Sequence, residues 1–128
     1  MSVPVDLADL GAALADFGAG YLLTTAGGRV KAVTIAARVE RDIVPIVGPS
    51  RGSAANLAGN PQATLVFWPR QEHGYSLLVD GTATPTDEGF DLVPVSAVLH
   101  RPASHAPPDA LERCADDEHS CSNDCHHL

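Results

Sequence analysis

GPSRGSAANLAGNP, residues 48–61, decides how the rest of the chain is read. It lies between two apolar runs, 43–48 and 62–68, that read as strands. Its first half is small and polar. Its second half, 53–58, is good helix material and stops at Gly59. Ser50, Arg51 and Ser53 therefore fall where a short helix begins. Two readings fit these residues. One is an ordinary capped connection between strand and helix. The other is a small anion site, with orphan backbone N–H groups and a helix dipole facing a phosphate and a forked donor from Arg51.

Upstream, residues 6–17 read as an amphipathic helix. Leu7, Leu10, Leu14 and Phe17 share one face, Asp6 is the N-cap, and Gly18 and Gly20 mark the end. Residues 20–26 form a first strand and 29–39 a second, joined by the tight turn Gly27-Gly28. Glu40-Arg41-Asp42 makes the next turn, and 43–48 is a third strand whose Pro45 suits an edge or a bulge. Downstream, Asn60-Pro61 turns the chain sharply into the fourth strand, 62–68. A loop containing His73 follows; His73 reads as a solvated loop residue rather than a catalyst. Residues 75–84 and 90–99 are the fifth and sixth strands, the first broken by Gly81 and the second by Pro94.

One helix and six strands on short connections do not make a doubly wound parallel sheet. An antiparallel barrel suits them, because closure removes sheet edges. The expected fold is mostly β, with an N-terminal helix and a short helix between strands three and four. It occupies residues 1–102. From 103 to 128 the composition changes to an acidic tail holding all three cysteines and four of the six histidines.

The formal net charge is −8. Residues 109–124 hold six acidic groups against Arg113 alone, so most of that charge belongs to the tail. With one lysine and seven arginines there is no basic stripe, which excludes a nucleic-acid binder. No apolar run approaches the roughly 20 residues needed to span a bilayer. The start lacks a basic n-region, so no secretory signal and a cytoplasmic location are expected. A Ser–His–Asp hydrolase is excluded because no nucleophile elbow is present.

Taken in order, Ser50-Arg51, the run 53–57 with Asn60-Pro61, the strand 63–68 and Val79-Asp80-Gly81-Thr82-Ala83 resemble the pyridoxamine 5′-phosphate oxidase-like split-barrel family. The resemblance spans about residues 7–102. It is strongest to a small actinobacterial branch in which GYSLLVDGTA (74–83) and AVLHRP (97–102) are typical. It implies a six-stranded split barrel that forms a homodimer and binds flavin mononucleotide (FMN) at the interface. Some relatives bind a deazaflavin, and another branch binds or degrades haem.

Carried over by position, the resemblance puts the flavin phosphate near Ser50, Arg51 and Ser53. The ring would lie near Lys31, Val33, Thr34, Ile35, Val47 and Gly48, with Trp68 of the partner subunit beside it. Arg101 becomes a candidate substrate contact, and His100 a candidate iron ligand if the pocket takes haem. The implied activity is a flavin- or deazaflavin-dependent oxidoreductase on a small substrate. The catalytic residues stay unassigned, because the cofactor carries the chemistry. One departure stands out. Members commonly carry a phosphate-binding lysine in a Ser-Arg-Lys-Ala-like run, and here Ser53 precedes Ala54. Losing that charge-assisted contact costs about 1.5–3 kcal/mol, roughly tenfold or more in affinity. Lys31 on the neighbouring strand is the candidate to compensate. The other reading is a dimeric binding protein that has lost the cofactor.

In the tail, Cys114, His119, Cys121, Cys125, His126 and His127 place six soft or borderline ligands within 14 residues. Cys114, His119, Cys121 and Cys125 could hold one zinc ion. A solvated acidic tail and a Cys121–Cys125 redox pair are the competing readings.

Overall fold

The sheet is built on five strands that bury alternate residues over much of their length and two, Ser2–Val5 and Arg29–Ile35, that bury none. The computed structural model describes residues 2–71 and 74–101. β1 (Ser2–Val5) is followed by a 3-10 turn, Leu7–Asp9, and by α1 (Leu10–Ala15). β2 (Gly20–Ala26) and β3 (Arg29–Ile35) form a hairpin through Gly27 and Gly28, both at positive φ as a two-residue primed turn requires. β4 (Val44–Val47) leads to α2 (Arg51–Gly59), and then come β5 (Gln62–Phe67), β6 (Ser76–Thr86) and β7 (Gly89–His100). All pairings are antiparallel, in the order β1-β7-β6-β5-β2-β3, with β4 also on β7.

β7 is the organising strand. One edge pairs with β6 along its length. The other edge is shared: Gly89 to Leu92 pair with β4, and Ala97 to His100 pair with β1. Val44, Ile46, Leu22, Leu65, Phe67, Leu77, Val79 and Leu92 fill the space between the strands, with Leu10 and Leu14 of α1 and Leu57 of α2 packed on them. β3 and β4 are not hydrogen-bonded to each other, so the barrel is split along that seam.

The fold is the expected mostly β split barrel, with four corrections of detail. There are seven strands, not six: Ser2 to Val5 pair with the far end of β7. The first helix is shorter than 6–17. Asp6 does cap it, accepting from the Ala8 amide at 3.0 Å, but the first turn is 3-10 and the helix ends at Ala15. The second strand stops at Ile35 because its partner β2 begins at Gly20, directly opposite. Gly81 and Pro94 do not break their strands. They pair with each other beside a bulge that absorbs Val95, which puts the missing proline N–H where the ladder is already irregular.

Candidate functional site

α2 is fixed before anything can bind to it. Ser50 caps it, its hydroxyl oxygen accepting from the Ser53 amide at 3.2 Å. The same hydroxyl donates to the Ser53 Oγ at 2.9 Å, and Ser53 is fully buried. Two asparagines one turn apart pin the helix onto β2. Asn56 Nδ2 donates to Thr24 Oγ1 at 3.1 Å, and Asn60 Nδ2 to Thr25 Oγ1 at 2.8 Å. Asn60 also accepts from the Gln62 amide at 3.1 Å, which makes the turn into β5. The Asn-Leu-x-x-Asn-Pro run is therefore the clamp that aims the start of α2.

It aims at a cleft of about 320 Å³ in the open seam of the barrel. One wall is Val33, Thr34 and Ile35 of β3. The other is Ile46, Val47 and Gly48 at the end of β4, with Pro49 and Ser50 leading into α2. Leu22 forms part of the floor. The walls carry the apolar side chains of Val33, Ile35, Ile46 and Val47 beside the Thr34 hydroxyl, and at one end the lining meets the start of α2 at Ser50.

At that end the donors can be counted. In the first turn of α2 the Ser50 hydroxyl takes the Ser53 amide, and the Ser50 carbonyl takes the Ala54 amide at 2.9 Å. The amides of Arg51 and Gly52 remain without an intrahelical acceptor, as in any first turn. Arg51 itself, the first residue of the helix, is exposed. Lys31 reaches the same turn from β3: a Cβ on Gly52 would lie 2.6 Å from Lys31 Cε and 3.0 Å from its Nζ. Among the described residues the sole ion pair is Arg38 with Glu40, 2.6 Å apart on the surface, so neither cation is neutralised by a carboxylate.

Six of the ten cofactor positions expected from the sequence thus line one cleft: Val33, Thr34, Ile35, Val47, Gly48 and Ser50. Arg51 follows directly. Lys31 does not line the cleft; its side chain lies against Gly52 in the first turn of α2. Ser53 lies beneath the cap and does not line the cleft. Trp68 stands apart from it in the same chain, exposed and edge-on to Tyr21 with ring centroids 5.4 Å apart. Arg101 stacks over the Tyr75 ring at 4.8 Å. His100 meets the Ser2 Oγ through Nδ1 at 3.1 Å, at the β1 end of β7, and is not in the cleft lining. The zinc set Cys114, His119, Cys121 and Cys125, the rest of the tail and His73 lie outside the described residues.

Sequence reading missed Leu22, Ala36, Ile46 and Pro49 of the lining. Leu22 and Ile46 sit in the buried phase of their strands, and that alternation was the available signal. It also missed Gly52, for which the signal was a helix-disfavouring residue inside the first turn.

No family model matches the chain. It is similar to uncharacterized proteins of Mycobacterium bovis and Mycobacterium tuberculosis, 36% identical in each case over 88% of this chain and 92% of the relative. Among solved structures it resembles an FAD-binding protein from Mesorhizobium loti, with a TM-score of 0.61 and 12% identity over 78% of this chain and 99% of that one. It also resembles a protein from Corynebacterium glutamicum named as a candidate pyridoxamine 5′-phosphate oxidase. There the TM-score is 0.50, with 8% identity over 78% of this chain and 93% of the other. At such identities the likeness is one of fold.

Proposed function

The chain belongs to one family with the two mycobacterial proteins and carries the pyridoxamine 5′-phosphate oxidase-like split-barrel fold, and on that ground we propose that it is a homodimeric flavin-dependent oxidoreductase acting on a small substrate. FMN is the preferred cofactor, and a deazaflavin the second choice. The observation that carries this reading is the cleft itself. Its walls hold Val33, Ile35 and Val47 where a flat tricyclic ring would lie, and its lining ends at Ser50, the cap of the helix turn that begins with Arg51 and against which Lys31 lies.

The residues present fit such a group. Val33, Ile35 and Val47 would hold the ring by contact and exclude water from its faces. The Arg51 and Gly52 amides and the Arg51 side chain would orient the phosphate. The flavin, when bound, supplies the electron transfer, and no ionisable protein side chain is needed in the cleft. Thr34, exposed on β3 at the cleft wall, is the polar group placed to face a substrate or a ring edge.

The reading as a binding protein without cofactor draws on the missing lysine at position 53. An open apolar cleft beside Arg51 weighs against it. For the haem reading, the one described histidine, His100, lies outside the cleft lining. An absorption spectrum of the purified full-length protein tests all three. Flavin bands, or uptake of added FMN or deazaflavin, are expected. A Soret band would select haem, and no uptake of either flavin would leave the non-catalytic reading.

A further inference from the structure

No lysine stands at 52 or 53, after Ser50-Arg51. Position 53 is fully buried under the helix cap, and its hydroxyl is bonded to Ser50. A second cation at the cleft has to come from another element. We infer that Lys31 of β3 is that cation, that it reads the terminal phosphate of a phosphorylated flavin, and that Gly52 is the residue that admits it. The inference rests on the flavin reading above.

Three observations support it. First, the end of the Lys31 side chain lies against the bare α-carbon of Gly52. Any side chain at 52 would occupy the same volume, since its Cβ would meet Cε at 2.6 Å and Cδ and Nζ at 3.0 Å. Second, an ammonium at the start of a helix stands at the positive end of the dipole, where cations are disfavoured. Arg51, the first residue of the same turn, adds to that unfavourable field. No carboxylate among the described residues offsets it. A dianionic phosphate would reverse the sign of all these interactions at once. Third, the placement is built. Lys31 is paired with Thr24 across the hairpin, and Thr24 is bonded to Asn56 of α2, so strand position and helix are tied through one residue.

Affinities of the full-length chain for FMN and for riboflavin, which lacks the phosphate, test this by flavin-fluorescence titration at low salt. Wild type is expected to prefer FMN. Lys31→Gln should weaken FMN about tenfold and leave riboflavin unchanged, as loss of one exposed charge-assisted contact predicts. Gly52→Ala keeps the charge but displaces it, and should shift FMN in the same direction. Equal FMN binding by wild type and Lys31→Gln would overturn the inference and leave the flavin reading standing. Equal weakening of both flavins by Lys31→Gln would overturn it too, because that pattern belongs to a ring contact. A wild type that takes up neither flavin would remove the cofactor reading and this inference with it.

Discussion

At the scale of single residues, the molecule holds two positions where the local backbone or helix preference is set against something else. Gly52 is the second residue of α2, where alanine would be preferred by about 0.5–1 kcal/mol. The three nearest atoms that a methyl group there would meet beyond its own helix backbone all belong to the flexible end of Lys31. Gly52→Ala should therefore raise the urea midpoint, with an unchanged slope, while it weakens FMN. A variant that is both more stable and a poorer binder separates a functional glycine from a structural one. The turn after β3 is the opposite case. Arg41 and Asp42 sit at φ of 51° and 65°, and Glu40 and Ile43 close the turn with backbone bonds of 2.8 and 3.0 Å. Two left-handed residues in succession define a primed turn, for which Asn-Gly is the preferred pair. Neither residue touches the cleft. The double change Arg41→Asn, Asp42→Gly should stabilise the fold by roughly 1 kcal/mol in denaturant unfolding, with FMN affinity unaltered.

At the scale of elements, α2 stands or falls with its attachment to β2. Thr24 is fully buried, and its hydroxyl has Asn56 as partner. Asn56→Ala leaves that hydroxyl unsatisfied, so the cost should be about 1–3 kcal/mol rather than that of one exposed contact. Replacing both partners, as Thr24→Val with Asn56→Leu, should recover most of the loss, because a buried pair exchanged for apolar groups leaves no orphan. Chemical denaturation of the two single variants and the double one gives the coupling directly. The same element shows what the sequence could disclose. The centres of the strands were legible from their apolar character, and the start of α2 from Ser50 and the glycine after Ala58. Asn56 and Asn60 were visible as a motif but not as a clamp, since their partners lie 32 and 35 residues away. β1 was missed for the same reason. Its four residues gain meaning only from pairing with a strand nearly a hundred positions later. The end of β3 was misplaced because a strand ends where its partner ends, and composition does not record that. Of the site, the cleft walls followed from the family order, while the path of Lys31 depended on a glycine that looks like loop material.

At the scale of the whole molecule, the split seam leaves a surface that the described residues do not cover. Among the described residues β3 has one hydrogen-bonded neighbour, β2, and Arg29, Val30, Lys31 and Ala32 are all exposed. Val30 is 65% exposed, and Val47, on the opposite wall of the cleft, 61%. Lysine on an edge strand ordinarily deters pairing. Here its side chain is drawn onto α2 and leaves the apolar residues beside it unguarded. An edge of this kind invites association, and the proposed homodimer gives it a specific partner. A second copy seated over β3 and β4 would bury Val30 and Val47 and shut the cleft from solvent on its open side. Stable interfaces bury about 1,200–2,000 Å² in total, so one central valine is a fair target for disruption. Val30→Glu adds a charge to that centre without touching the cleft lining. The full-length protein should run as a dimer in size-exclusion chromatography with light scattering at micromolar concentration. Val30→Glu should shift it toward the monomer, and flavin uptake should fall in step with the dimer fraction. A wild type that is monomeric at those concentrations would refute the dimer. A monomeric Val30→Glu that still binds flavin at full strength would show that one chain completes the cleft alone.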